Sequence, residues 1–270
     1  MTFIRHFLIA LQFFTRIPVT GRLAEWVGFS PAMLRASAAH FPGVGWVVGG
    51  LTALVFWALM QALVAQPAAP WVAAVLSTAF GVWLTGAFHE DGLADTADAL
   101  GGAVSRERAL EIMKDSRIGS YGAIALVLAL LTKVLLLGLL VQAGGALATA
   151  WALFAAHVSS RLLPLLVIAT LPHVGDTPQS KSKPLADGID VAGLLAGLLW
   201  WALAMMLLAV AAPAWPWFAA VLGAFLGFLW MWRLLARRLQ GFTGDGLGAT
   251  QQLAELGFYL GLALGLGGAW

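Results

Sequence analysis

The sequence predicts an all-α membrane protein, a polytopic membrane helix bundle of about seven transmembrane helices preceded by an N-terminal interfacial helix. Of its 270 residues, 61% are hydrophobic and only 10% are Asp, Glu, Lys or Arg, whereas a soluble domain carries about 25% charged residues. The 13 Trp and 31 Gly fit the same class, because indole rings favour the lipid–water boundary and glycine lets helices approach closely. An ordinary soluble enzyme is excluded.

The polar composition limits the chemistry and the binding partners that the protein can have. The absence of cysteine excludes disulfides, thiolate nucleophiles and iron–sulfur ligation. The net charge is only +2, and the sequence has no Lys/Arg-rich run of about five to eight residues, so it predicts no nucleic-acid partner. Membrane lipid and a small molecule are the predicted partners, and both a single chain and an oligomer remain open.

The predicted helices begin with an amphipathic segment, Phe3 to Ile17, which is too short to span a bilayer. On a helix, Arg5, Gln12 and Arg16 form one narrow polar stripe, as in an interfacial helix. Seven later runs approach or reach the roughly 20 apolar residues that a membrane-spanning helix needs. They are Phe41 to Val64, Trp71 to Phe88, Tyr121 to Val141, Ala146 to Leu171, Val191 to Ala212, Trp215 to Trp232 and Leu253 to Trp270. Close helix packing is predicted at the Gly-x-x-x-Gly spacings within them, which are Gly45/Gly49, Gly223/Gly227 and Gly257/Gly261/Gly265.

The placement of charge predicts the orientation of a single integral-membrane domain, residues 1–270. With a cytoplasmic N-terminus, 13 of the 15 basic residues and all 13 acidic residues lie on the inner side, as the positive-inside rule requires for the basic ones. That side comprises an interfacial and cytoplasmic segment, 1–40, an acidic loop, 89–120, and a Gly-rich loop, 233–252. Any chemistry is therefore predicted at the cytoplasmic face.

Two basic residues, Lys133 and Arg161, fall near the middle of predicted spans, and His157 shares a helix face with Arg161. A charge at this depth costs about 2.5 to 3.5 kcal/mol on insertion scales, so each should face protein or water. The sequence leaves open whether the three residues anchor helices or line a pocket.

The acidic loop contains the most informative stretch, His89 to Asp98. On a helix, Asp91, Asp95 and Asp98 stand at i, i+4 and i+7, so their charges share one stripe and repel. A divalent cation would neutralise them, and carboxylate oxygens suit Mg²⁺, Mn²⁺ or Ca²⁺ better than zinc. The alternative is a solvated acidic helix face that ends a membrane span. Three acids on one stripe at a membrane boundary favour the metal site.

Two further motifs are candidates for phosphate binding. After a helix from Arg106, Lys114 and Arg117 are predicted one turn apart and would donate to phosphate oxygens, with Asp115 as a further candidate metal ligand. Anchoring by the positive-inside rule is the alternative, and is preferred for Arg106 and Arg108. In the Gly-rich loop, glycines open a helix whose N–H groups favour phosphate. There Asp245 has three open roles: metal ligand, proton acceptor or N-cap.

Together these motifs resemble the cobalamin synthase family, the adenosylcobinamide-GDP ribazoletransferases, over nearly the whole chain. The matching segments are Phe14 to Pro18, Phe41 to Gly45, His89 to Asp98, Lys114 to Gly119 and Thr243 to Ala249. Glu90 and Ala99 depart from the family pattern, in which an apolar residue and a glycine are expected, but all three aspartates of the acidic motif are present.

The resemblance implies that adenosylcobinamide-GDP and α-ribazole, or its 5′-phosphate, yield adenosylcobalamin or its phosphate plus GMP. It implies Mg²⁺ as the cofactor, with Mn²⁺ as a substitute, and a site facing the cytoplasm from the bacterial inner membrane. The implied metal ligands are Asp91, Asp95, Asp98 and Asp115, and the implied catalytic residues are Asp91, Asp95, Asp98 and Asp245. The implied substrate-binding residues are His89, Lys114, Ser116, Arg117, Thr243 and Gly244.

Two other functions are alternatives to the one that the resemblance implies. A CDP-alcohol phosphotransferase-like lipid enzyme would share the aspartate spacing and the diphosphate donor, but its usual Asp-Gly-x-x-Ala-Arg opening is missing because Asp95 follows Ala94. A metal or corrinoid transporter would also place acids at a membrane boundary. Metal transport would predict acids or His inside several spans, and the predicted spans show none well inside.

Overall fold

The computed structural model describes residues 1–175 and 188–267. Within these ranges the regular structure is helical, which confirms the predicted all-α class. The helices are α1 (Thr2–Phe14), α2 (Gly21–Val27), α3 (Pro31–Ser37), α4 (Phe41–Ala62), α5 (Ala69–Thr85), α6 (Phe88–Gly101), α7 (Arg106–Ile112), α8 (Ser120–Thr170), α9 (Val191–Ala211), α10 (Trp217–Arg238) and α11 (Gly244–Gly267). Lys181 and Lys183, which the sequence places on the inner side, and residues 268–270 of the predicted last span lie outside the described residues.

Four of the described helices are long and apolar enough to cross a membrane, or five if the bent pair α5–α6 counts as one span. Helix α8 has 51 residues and a break at Gly145, where φ is 82° and ψ is 174°. A straight helix of this length would extend about 75 Å, yet Lys133 before the break and His157 after it both lie within 4 Å of Glu255. The two halves of α8 therefore form a hairpin and supply the predicted third and fourth spans.

Helix α6 leaves the end of α5 at an angle of 90°. The turn is made by Gly86 and Ala87, which both have left-handed backbone angles, with φ of 67° and 60°. The Arg16 N–H donates to the carbonyl of Leu84 at 2.7 Å, so the segment after α1 is fixed to this turn. Because α6 carries four acidic side chains, we treat it as lying outside the apolar part of the bundle.

The predicted glycine spacings mark close helix contacts. Gly223 of α10 and Gly257 of α11 lie against each other's backbone, and Gly45 and Gly49 of α4 lie against the backbone of α8 near His157. A Cβ atom at any of these positions would overlap the neighbouring helix. The packing prediction is therefore confirmed at these spacings.

Candidate active site

The acidic helix α6 packs against the first turns of α11 through two glycines. A Cβ atom at Gly92 would lie 2.8 Å from the backbone oxygen of Asp245, and one at Gly248 would lie 3.3 Å from the Cα of Gly92. Only glycine permits so close an approach of the two backbones. The contact brings the carboxylates of α6 to the N-terminal end of α11.

Three carboxylates lie near this contact, those of Asp91 and Asp95 on α6 and of Asp245 on α11. We call them the carboxylate cluster. Burial raises the pKa of Asp95 to about 7, with further contributions from the negative charges of Asp245, Asp91 and Asp98. Burial also raises the pKa of Asp245 to about 6, and the charge of Asp91 adds to that effect. The neighbouring charges add to the effect of burial because these side chains lie near one another and are partly desolvated.

Thr243, and not Asp245, caps helix α11. The Thr243 hydroxyl oxygen accepts a hydrogen bond from the Gly246 N–H at 3.1 Å, which is the bond of an N-cap residue. The N-cap alternative for Asp245 is therefore wrong, and its carboxylate is available to the cluster. Thr243 itself is buried, and its predicted contact with substrate stays a prediction.

Asp98 holds the start of α8. Its two carboxylate oxygens accept hydrogen bonds from the backbone N–H groups of Gly119 and Gly122, at 2.7 and 2.8 Å. A Cβ atom at either glycine would overlap this carboxylate. Asp98 thus ties α6 to the third predicted span, a role that the sequence analysis missed, and its assignment as a metal ligand stays a prediction.

The segment from Lys114 to Gly119 differs from the expected helix. Helix α7 ends at Ile112, because the chain turns toward the glycines that Asp98 binds, so Lys114 and Arg117 are not one helical turn apart. The exposed Arg117 guanidinium pairs with Asp115 at 2.6 Å. Hydrogen bonds from Arg117 lower the pKa of Asp115 to about 2. Ser116 is exposed beside this pair, and the phosphate and metal roles of the segment stay predictions.

Two arginines fix the loop between α6 and α7 to the end of α10. Arg238 donates to the carbonyls of Leu100 and Gly102, at 3.2 and 2.8 Å, and Arg106 donates to the carbonyl of Leu239 at 2.6 Å. Both guanidiniums therefore bind carbonyls that helix ends leave unsatisfied. The sequence predicted an anchoring role for Arg106 and no individual role for Arg238.

The charged residues predicted near mid-membrane converge on Glu255. Its carboxylate lies 2.6 Å from the Lys133 ammonium and 3.7 Å from His157, and it accepts hydrogen bonds from Gln251 at 2.8 Å and Tyr259 at 3.1 Å. Helix α11 begins nine residues before the predicted start of the last span, so Glu255 lies near the middle of this helix, where it is only 2% exposed. Gln251, Glu255 and Tyr259 recur every four residues, a polar stripe visible in the sequence.

The carboxylate cluster fits a hard divalent cation by its donor chemistry. Its oxygen donors are those that Mg²⁺ prefers, and a cation would relieve the repulsion that adds to the effect of burial on the pKa of Asp95. Across residues 1–175 and 188–267, no three Asp, Glu or His side chains are already arranged as ligands of one ion. The cluster therefore offers the right donors without a preformed coordination shell.

Fold and site together define a polytopic helical membrane enzyme with a carboxylate cluster where α6 meets the start of α11. The family model described as cobalamin-5-phosphate synthase matches residues 6–263, and the chain belongs to this family.

Curated relatives carry one name, adenosylcobinamide-GDP ribazoletransferase. The protein from Albidiferax ferrireducens is 59% identical, over 98% of this chain and 99% of its own length. The protein from Polaromonas naphthalenivorans is 57% identical, over 98% of this chain and all of its own length. A protein from Vibrio cholerae is 42% identical, over 94% of this chain and 91% of its own length. No solved structure matches the chain.

Proposed function

We propose that the protein catalyses the reaction for which its relatives are named, joining α-ribazole or its 5′-phosphate to adenosylcobinamide-GDP with release of GMP. We propose Mg²⁺ as its cofactor, with Mn²⁺ able to replace it. The observation that carries the proposal is the convergence of Asp91, Asp95 and Asp245 at the glycine contact of α6 and α11. A relative of that name is 59% identical over almost the whole chain.

The reaction exchanges a phosphoanhydride bond of the diphosphate for a phosphodiester bond. A bond forms between a ribose hydroxyl oxygen of α-ribazole and the phosphorus that carries the cobinamide, and the bond from that phosphorus to GMP breaks. Bound Mg²⁺ supplies positive charge to the diphosphate oxygens. Asp91 and Asp95 would hold it. Asp245, which lies beside them at the start of α11 and whose pKa burial raises, would accept the hydroxyl proton.

We place the carboxylate cluster at the cytoplasmic face of the bacterial inner membrane. The loops at the opposite end of the bundle, residues 63–68 and 212–216, carry no charge. The guanidiniums of Arg106, Arg117 and Arg238 lie on the same side as the cluster, bound to or flanking the ends of α6 and α8. This asymmetry supports the orientation because basic residues are retained in the cytoplasm.

The direct test uses purified protein in phospholipid vesicles with adenosylcobinamide-GDP, α-ribazole and Mg²⁺. We expect GMP and adenosylcobalamin to form in equal amounts, and no GMP when α-ribazole is left out. The proposal fails if no GMP forms with Mg²⁺, Mn²⁺ or Ca²⁺, or if its release does not require α-ribazole. Turnover of a CDP-linked lipid in the same vesicles would instead favour the phosphotransferase alternative.

Replacing Gly92 with Ala should lower kcat about tenfold without unfolding the protein. The added Cβ meets the Asp245 backbone at 2.8 Å, so α6 and α11 must move apart by some tenths of an ångström. Displacements of about 1 Å at a reacting centre can cost about a hundredfold in rate. The matched control is Gly50→Ala, where the Cβ meets nothing within 4 Å. Equal kcat values for the two variants would show that this contact does not position the cluster.

A further inference from the structure

A cavity lies next to the carboxylate cluster, between α1, the first residues of α4 and α6, the second half of α8 and the first turns of α11. Its walls are largely aromatic, with His89, Arg161 and Gln251 as the polar side chains among them. The apolar side chains that form them include Phe13, Phe14, Phe41, Phe88 and Leu247. Such walls favour a flat, weakly polar ring system.

One polar group in the cavity wall is buried and incompletely paired. Arg161 is 4% exposed, and its Nη1 group donates to His157 Nδ1 at 3.0 Å and to the His157 carbonyl at 3.1 Å. Its Nε group has no hydrogen-bond partner among the described residues. A buried N–H without a partner is costly, and an acceptor atom on a ligand in the cavity would satisfy it.

We propose that this cavity binds the base of the nucleoside acceptor, the dimethylbenzimidazole ring of α-ribazole, with Arg161 Nε donating to its free ring nitrogen. The assignment rests on the proposed function, which supplies α-ribazole as a substrate. In this nucleoside one ring nitrogen carries the ribose and the other keeps a lone pair, so the base has a single acceptor. One unpaired donor in an aromatic cavity matches one acceptor on an apolar bicyclic base.

Guanine, the other base in the reaction, fits this cavity less well. Its ring carries several hydrogen-bond donors and acceptors, and these walls would leave most of them unsatisfied, because Gln251 already bonds Ser160, Glu255 and Gln252. Burying such groups without partners is unfavourable. The two methyl groups of dimethylbenzimidazole, in contrast, gain from contact with Phe13, Phe41 and Leu247.

The position of the cavity orients the bound nucleoside toward the cluster. Gly244 lines the cavity, and the next residue is Asp245, the proposed proton acceptor, whose Cα is about 3.8 Å further along the chain. A base held among the phenylalanines leaves its ribose at the mouth beside Gly244. The reacting hydroxyl then faces the carboxylates and the diphosphate that they bind.

The test fills the cavity with a larger side chain. Leu247→Trp should weaken α-ribazole binding and raise the KM for α-ribazole by about tenfold or more, while the KM for adenosylcobinamide-GDP changes by less than about twofold. Arg161→Lys, which keeps the buried charge but removes the Nε donor, should also weaken α-ribazole binding. The matched control is Leu260→Trp, on the same helix at a side chain that is 49% exposed.

Binding is measured by equilibrium dialysis of α-ribazole against each protein in vesicles, without Mg²⁺ or the second substrate. Affinity that is equal in wild type and Leu247→Trp overturns the cavity assignment even if the wild type releases GMP. A KM increase confined to adenosylcobinamide-GDP overturns it as well. If the wild type releases no GMP, the proposed function fails, and the dialysis still decides whether the cavity binds the nucleoside.

Discussion

Replacing Asp95 with Asn is expected to lower kcat about a thousandfold while leaving the protein folded. Asp95 is the carboxylate on which the charges of Asp91, Asp98 and Asp245 act together, so it lies at the centre of the proposed ion site. A metal ion contributes several kcal/mol of transition-state stabilisation, and a loss of about 4 kcal/mol corresponds to about a thousandfold in rate. The measurement is GMP release at saturating Mg²⁺ and both substrates.

The control for this prediction is Asp190→Asn. Asp190 caps helix α9 by accepting the Gly193 N–H at 2.7 Å, and an Asn side chain makes the same cap. This variant removes one carboxylate far along the chain from the cluster and should keep wild-type kcat. Near-normal turnover by Asp95→Asn would remove the ion-binding role of the cluster.

Replacing Glu255 with Gln is expected to have the largest effect on stability. Glu255 and Lys133 are 2% and 9% exposed at their side chains and lie 2.6 Å apart. Gln leaves the ammonium buried without its counter-charge, and breaking a buried pair from one side costs about 3 to 5 kcal/mol. We expect a clear fall in Tm, followed through the fluorescence of the 13 Trp residues in detergent or vesicles.

A double variant separates the ion pair from the packing around it. Lys133→Met with Glu255→Gln removes both charges and keeps similar volumes. The single amide oxygen of Gln can accept from Gln251, and its N–H can donate to the Tyr259 hydroxyl. Its Tm should lie well above that of Glu255→Gln alone, as expected for two coupled residues. Equal Tm values for the single and double variants would contradict the pairing.

The acidic motif shows which features of the site helical spacing can predict and which it cannot. Helical spacing predicts that Asp91 and Asp95 share a face, and α6 is a helix over both residues. The same spacing includes Asp98, whose carboxylate accepts N–H groups from residues 21 and 24 positions later. That partner depends on how α8 is placed, and periodicity along one helix carries no information about it.

Contacts between helices that are far apart in the sequence account for the other differences between the predicted and the observed structure. Lys133 and Glu255 are both visible as charges in apolar segments, but their pairing joins residues 122 positions apart. The glycines Gly92 and Gly248 are equally visible, yet only the packed structure shows that they face each other. Gly145 was predicted in a loop and does reverse the chain, although the flanking helices run directly into it.

Mn²⁺ binding measured by electron paramagnetic resonance tests the carboxylate cluster most directly. Wild-type protein in vesicles, titrated with Mn²⁺ in the presence of adenosylcobinamide-GDP, should bind the ion roughly a hundredfold more tightly than Asp95→Asn, and Asp190→Asn should match the wild type. Equal Mn²⁺ affinity in all three proteins would contradict the account.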